Sequence, residues 1–464
     1  MSSKDMEISR RDLLKQSVAV AAGGVALAAT AGAASAATRS AVRKKFRGWV
    51  SRGSGHGRTT LQEITLRPIG GRQVVVRTQA ASLCYSNCGA VLGYQMNFGA
   101  APPPPPGAPP TPAARMSEMA VIQGHGGVGI VEAVGPEVRR VQVGDRVCVS
   151  GTPQCGSCYA CLRGRADMCQ FGGRIGPDDL VPIGDLRDGS PVYMNSQIGG
   201  LGELMVTLEE WVVPIFTNAP AADLGMVTSC VSVAGLGATT SQVLAMIAPG
   251  STVAVVGCGP LGLSAVQGAR IAGASTIIAI EPIRARRELA QKVGATHLLD
   301  PNAEGDKLVD KVRELAQRPN NRLWSGGRNS GGLLAAAGAD FVIEAAGAEW
   351  VQSKLEPSPD PTGVLAIRQA YEMCGAGGHI VTTSLARGPV NIPAVFFNIG
   401  GRTHHAGQAG GANPMRDIPR FVELLEKGQY DAKSLATIVV PMEKMLEAYE
   451  EVLYRTTVTA LMTA

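Results

Sequence analysis

Gln154–Cys169 reads QCGSCYACLRGRADMC and sets Cys155, Cys158, Cys161 and Cys169 in the spacing C-x2-C-x2-C-x7-C. Thiolates this close together can fold back around one tetrahedral Zn²⁺. With all four positions filled by protein, such an ion is structural rather than reactive. The loop has a poor apolar core of its own, so metal binding is expected to supply much of its folding free energy. A pair of disulfides and an Fe–S cluster are the rival readings of four cysteines. The even spacing, with Gly156 and Gly164 among the ligands, suits a metal knuckle.

The second informative stretch is Ser251–Pro282. STVAVV is a β-branched strand, and GCGPLG sets Gly257, Gly259 and Gly262 in the spacing G-x-G-x-x-G, with Pro260 and Leu261 between them. LSAVQGARIAG then continues as a helix, and STIIAIE is the next strand, ending at Glu281. The glycines permit a tight turn and let backbone amides approach a pyrophosphate at the helix N-terminus. Alone the glycine motif is weak; between a strand and a helix, with an acid closing the second strand, it predicts a dinucleotide site. Glu281 is expected to accept hydrogen bonds from the adenosine ribose hydroxyls, and its charge repels a ribose phosphate, which favours NAD over NADP. Arg284, Arg286 and Arg287 read as a solvated helix face from which one could still pair with a phosphate.

Further strand–helix units at 295–316, 340–347 and 378–384 make this half an α/β domain with a doubly wound parallel sheet. The first half alternates as strands at 61–69, 73–78, 121–134 and 138–150, while 172–196 reads as loop. Two stretches look inserted. APPPPPGAPPTP at 101–112 cannot donate to a sheet, and 318–338 is polar and glycine-rich.

At 464 residues, 45% hydrophobic and 17% charged, the chain is long enough for two soluble domains. Its formal charge of +5 is unevenly spread: eleven of the 43 Lys and Arg but only three of the 38 Asp and Glu fall in residues 1–58. The remainder carries a small negative balance, so nothing points to nucleic acid. The N-terminus runs through Ser9-Arg10-Arg11-Asp12-Leu13-Leu14-Lys15 into an Ala/Gly/Val segment at 18–34 and offers Ala34-Ser35-Ala36 for cleavage. This is the pattern of a twin-arginine export signal, too short and weakly apolar for a membrane span. It predicts a periplasmic or extracellular protein with no stable membrane span after processing, beginning with a loose basic arm at 37–60. That export route carries folded proteins, so metals and tightly held cofactors can be loaded beforehand. Of the ten cysteines, Cys88, Cys148, Cys258 and Cys374 are left for the core, with no disulfide framework expected.

The cysteine loop followed by the glycine fingerprint resembles the zinc-dependent medium-chain alcohol dehydrogenases, and the resemblance extends from Leu61 onward. It implies a GroES-like, β-rich catalytic domain at 61–232, a Rossmann NAD-binding domain at 233–406, and a C-terminal return to the catalytic domain at 407–464. It also implies a second, catalytic Zn²⁺ with an open fourth position, held by Cys84 in LCYSN, His125 in QGHGGVGIVE and Cys230 in TSCVSVAGLG. Ser86, two residues after Cys84, is then the hydroxyl that takes the alcohol's proton as hydride passes to the nicotinamide. Arg455, in Tyr454-Arg455-Thr456, matches the family's pyrophosphate arginine.

Four positions depart from the family. Asn87 replaces an acid that orients the ligand histidine, Gly126 replaces a Glu, Tyr85 stands where many members have a basic residue for the pyrophosphate, and Gly89 stands where some carry a proton-relay His. Proton delivery and cofactor affinity are therefore in question, not zinc binding. The resulting expectation is an exported, two-zinc, NAD-dependent dehydrogenase of a small alcohol or aldehyde. Its NAD(H) travels bound and is recycled in place by a second substrate or redox acceptor, and the assembly is a homo-dimer or homo-tetramer. A carbonyl reductase of the same fold and a catalytically silent NAD-binding partner protein are the alternatives.

Overall fold

Alternation in the first third of the chain is realised as two curved β layers. The computed structural model describes residues 44–52, 59–94, 119–170, 181–194, 198–228, 230–241, 247–317, 338–398 and 400–464. The export signal, the Pro-rich stretch at 101–112 and residues 318–337 of the second insertion lie outside the described residues.

The first lobe holds β1 (Lys45–Arg52), β2 (Thr60–Leu66), β3 (Gln73–Leu83), β4 (Ala120–Ile122), β5 (Gly127–Val134), β6 (Arg146–Val149), β7 (Gly184–Asp185), β8 (Pro191–Met194), β9 (Leu204–Leu208) and β10 (Val212–Pro214). The second holds β11 (Thr252–Val256), β12 (Thr276–Ile280), β13 (His297–Leu299), β14 (Ala339–Glu344), β15 (Cys374–Thr382) and β16 (Thr403–Ala406). The chain then returns to the first lobe as β17 (Ala436–Pro441) and β18 (Thr459–Thr463).

Strands β1-β2-β7-β8-β4 close into a barrel, and a second sheet runs β10-β6-β5-β3-β18-β17 with β9 also on β3. The antiparallel pairing of β18 with β3 ties the C-terminus to the strand that ends one residue before Cys84. Thr459 Oγ1 reinforces it by donating to the Leu83 carbonyl at 3.1 Å.

Two expectations are corrected here. The basic arm is not loose over 45–52, because Phe46, Trp49 and Val50 are buried as β1, and the Trp49 indole N–H donates to the Met442 carbonyl at 2.8 Å. Its cations pair across the lobe, Lys45 with Glu63 and Arg47 with Glu203 and Glu443. Residues 181–194 of the expected loop also supply strands, because β7 and β8 close the barrel around a turn in which Gly189 has φ +82°.

The six-stranded parallel sheet has the order β13-β12-β11-β14-β15-β16. All five residues of β11 are buried, as a strand covered on both faces requires. Strand order reverses between β11 and β14, so the crevice beyond their carboxyl ends is where a doubly wound sheet takes its ligand. The helix Cys230–Thr240 packs against the helix Pro260–Ile271, whose N-terminus lies at that crevice. Gly235 allows the approach, since a Cβ there would lie 2.4 Å from the Leu261 carbonyl oxygen. Among the described residues no single helix is long and apolar enough to cross a membrane.

Candidate active site

The four cysteines of the 155–169 loop converge, each pair of sulfurs within 4.8 Å. Cys155 and Cys161 stand 4.0 Å apart, as do Cys158 and Cys169. A tetrahedral ion with metal–sulfur bonds of about 2.3 Å would separate its sulfurs by about 3.8 Å, so the set fits zinc closely. Gly156 and Gly164 have φ +77° and +76°, the left-handed turns that fold the loop back. Backbone amides point at the sulfurs: Cys158 N–H at Cys155 (3.3 Å), and Cys161 and Gln170 N–H at Cys158 (3.5 and 3.4 Å). Burial would raise the Cys158 thiol, but these amide hydrogen bonds outweigh it and hold the group at about 6, ready to ligate. Beneath the lobe Arg165 pairs with buried Asp167 at 2.7 Å.

The second set forms from three separated elements. Cys84 follows the end of β3, His125 sits in the turn between β4 and β5, and Cys230 opens the helix at the junction of the lobes. Their ligand atoms also lie within 4.8 Å of one another. The hydrogen bond with Cys230 holds the Cys84 thiol well below its ordinary range, against burial and with help from His125, while that same contact and burial push Cys230 up. Two sulfurs and one imidazole with a cleft on the remaining side match a zinc site with an open position. Ser86 Oγ lies 2.9 Å from His125 Nε2 and 3.2 Å from Cys84 Sγ. Asn87, at the position of the family's acid, is buried and its Oδ1 has no hydrogen-bond partner among the described residues.

Cys84, Ser86 and Cys230 line one end of a cleft of about 280 Å³ that reaches Gly259, Pro260 and Leu261. Gly257 (φ +87°) lets the glycine loop touch the end of β14, where a Cβ would lie 2.7 Å from Ala346 N. Glu281 is 4% exposed and accepts from the Cys258 and Ile283 amides at 2.7 and 3.0 Å, clamping the loop. Glu281 itself does not line the cleft. Facing the loop, buried Glu344 accepts from the Ala346 and Gly347 amides at 2.9 and 3.3 Å and from Ser384 Oγ, which fixes that wall, and burial pushes its carboxyl up.

The basic residues are distributed differently from the expectation. Arg284 is exposed and pairs with Glu288, and Arg287 pairs with Asp300. Arg286 is not on a solvated face: it is 9% exposed, lines the cleft beside Gly259, donates to the Thr457 carbonyl at 2.9 Å, and leaves its Nε without a partner. Of the three arginines, the sequence did not show that this is the one turned to the cleft. Its burial comes from the C-terminal return, which no local periodicity reports.

Arg455 lines the same cleft, with its guanidinium against the Glu349 carboxylate and 3.1 Å from Tyr85 Oη. Tyr85 thus holds the arginine rather than replacing a cation. Arg455 itself has φ +59°, a left-handed conformation that costs about 1–2 kcal/mol and is sustained by these contacts.

The sequence profile of the alcohol dehydrogenase GroES-like domain matches residues 70–217, and that of the zinc-binding dehydrogenase domain matches 260–427. Putative alcohol dehydrogenase D of Mycobacterium tuberculosis is 27% identical over 397 residues, which cover 84% of this chain and 92% of the relative. The NDMA-dependent alcohol dehydrogenase of Amycolatopsis methanolica is 29% identical over 341 residues, covering 71% and 81%. Among solved structures, the benzyl alcohol dehydrogenase of Acinetobacter calcoaceticus has the same fold, with a TM-score of 0.70 at 22% identity over 90% of this chain and 99% of that one.

Proposed function

We propose that this chain, which belongs to the zinc-dependent medium-chain dehydrogenase family by two domain matches that together span more than half of it, oxidises a small alcohol to its aldehyde or ketone with NAD as hydride acceptor. One observation carries the reading. The ligand atoms of Cys84, His125 and Cys230 converge at one end of a cleft whose other end is the glycine fingerprint. When bound, zinc supplies there a Lewis acid toward the substrate oxygen, and NAD supplies the hydride acceptor.

The chain's own residues bind, orient and move the proton. Ser86, exposed to the cleft beside the ligand set, takes the hydroxyl proton. The 345–347 wall braced by Glu344 faces the glycine loop across the cleft and sets the width available to a flat ring. Leu261, Val231 and Val458 give the cleft apolar walls that exclude water. Arg286 and Arg455 bring positive charge to the side where a pyrophosphate would lie.

NAD(H) stays bound between turnovers and is reoxidised in place by a second substrate or electron acceptor. The twin-arginine pattern supports this, because free NAD is scarce outside the cytoplasm, and one relative is named for dependence on NDMA. Fractionating cells that carry the paired substitution R10K/R11K tests the export: the protein is expected to stay inside. Strand β16, outermost on its side of the sheet among the described residues, supplies an edge for a second copy, and light scattering is expected to report a homo-dimer or homo-tetramer.

The deciding experiment purifies the protein, counts zinc, denatures a sample to release nicotinamide, and screens alcohols with NDMA or a redox dye, with and without added NAD. Two zincs per chain, released NAD(H) and dye-linked oxidation are expected. One zinc per chain with no turnover would overturn the enzyme in favour of a silent NAD-binding protein.

A further inference from the structure

Between β14 and the helix Val364–Met373 the chain does not take the short turn usual in strand–helix units; residues 345–363 follow a long course without helix or strand. This segment touches both lobes. Near the Cys84 end, Trp350 lines the cleft and its amide donates to Tyr85 Oη at 3.2 Å, while Glu349 pairs with Arg455. Further along, the Lys354 amide donates to the Tyr454 carbonyl at 3.1 Å. At the far end the segment reaches the nucleotide half: Glu356 accepts from the Arg284 amide at 3.2 Å, three residues beyond Glu281, and the Pro357 carbonyl accepts from Asn302 at 3.0 Å.

The segment is also stiff. Pro357, Pro359 and Pro361 restrict its backbone. Asp360 accepts from the Leu365 amide at 2.8 Å and so anchors it to the next helix, and Arg387 donates to the carbonyls of Glu349 and Pro361 at 2.9 and 3.0 Å. The segment therefore lines the cleft at 345–348 and 350 and is tied to the catalytic lobe at Tyr85, Tyr454 and Arg455 and to the nucleotide domain at Arg284 and Asn302. Parting the lobes to release a dinucleotide would break the Tyr85, Tyr454 and Arg455 contacts together.

We propose that residues 345–363 are a retaining strap that holds the nicotinamide dinucleotide in the cleft through successive turnovers. The inference deepens the bound-cofactor reading above and rests on it. It assigns retention to one segment rather than to the glycine loop.

The test uses the full chain and two variants, E349Q at the Arg455 end and E356A at the Arg284 end, so that loss of folding in one leaves the other to decide. Each protein is loaded with NADH, and its release is followed by fluorescence on dilution into excess NAD. Because release rates respond most directly to lost contacts, E349Q is expected to release NADH at least about tenfold faster and E356A about threefold faster. Replacing exposed Lys427, remote from the strap, is expected to leave the rate unchanged. Release within about twofold of the parent in every folded variant would overturn the strap. Parent protein purified without nicotinamide would instead overturn the bound-cofactor reading, and the release rates with added NADH would still decide the strap on their own.

Discussion

Ser86 Oγ lies 2.9 Å from His125 Nε2, so the residue proposed to take the alcohol's proton rests directly against one of the proposed metal ligands. On the proposed reading Ser86 moves a proton beside the metal and takes no share in ligation. Substitution S86A is expected to lower kcat by about 10²–10⁴-fold while leaving the zinc count unchanged. Steady-state kinetics paired with metal analysis checks it, and an unchanged kcat would remove Ser86 from the reaction.

The two proposed metal sites should fail differently. C230A takes a ligand from an open site on the helix at the lobe junction, so one zinc and the activity are expected to disappear while the melting temperature changes little. C158S takes a ligand from a loop whose fold is expected to depend on its metal, so one zinc should be lost together with a clear fall in melting temperature. Zinc counts and thermal melts on both variants make the comparison, and equal melting temperatures would mean that the loop is not held by its metal.

Among the described residues, buried Arg286 beside the cleft donates to the Thr457 carbonyl and leaves its Nε without a partner, so on the proposed reading its charge serves an anionic ligand. A charge-assisted hydrogen bond contributes about 1.5–3 kcal/mol, so R286L is expected to weaken NADH binding roughly ten- to a hundredfold. R286K should recover part of that loss. Fluorescence titration measures it, and parent-like binding by R286L would show that the arginine is only a structural tie to the C-terminal return.

Asp360 gives the strap a pH dependence. Burial would raise its carboxyl, but hydrogen bonds from Leu365 and Thr362 outweigh burial and hold it below the ordinary value of 3.8. A carboxyl depressed in this way stabilises the fold above its unfolded pKa, and the contribution is lost as pH falls through the folded value. NADH release is therefore expected to quicken as pH drops below about 4. D360A, which loses the cap on the following helix, is expected to show faster release already at pH 7 and to be destabilised by about 1 kcal/mol. Release rates from pH 7 to 3 check both; a flat profile in the parent would remove Asp360 as an anchor.

What could be read from the chain was what its local geometry decides. Cys155, Cys158, Cys161 and Cys169 fall within one short loop, so their spacing and two glycines suffice to bring the sulfurs together. Gly257, Gly259, Gly262 and Glu281 likewise belong to one strand–turn–helix–strand unit. Cys84, His125 and Cys230 are far apart in sequence and were identified only by resemblance to the zinc dehydrogenases; it is the pairing of β3 with β5 and β18 and the placement of the junction helix that bring their ligand atoms within 4.8 Å. Tertiary packing alone decided the rest. Arg286 sits on a helix whose arginines look alike in sequence, and the returning C-terminus buries one while Arg284 stays in water. Beyond the strand–helix unit at 340–347, residues up to 363 drew no reading from the sequence, because their contacts are with partners from both lobes, and hydrogen bonds to distant residues leave no periodic trace in the residues that make them.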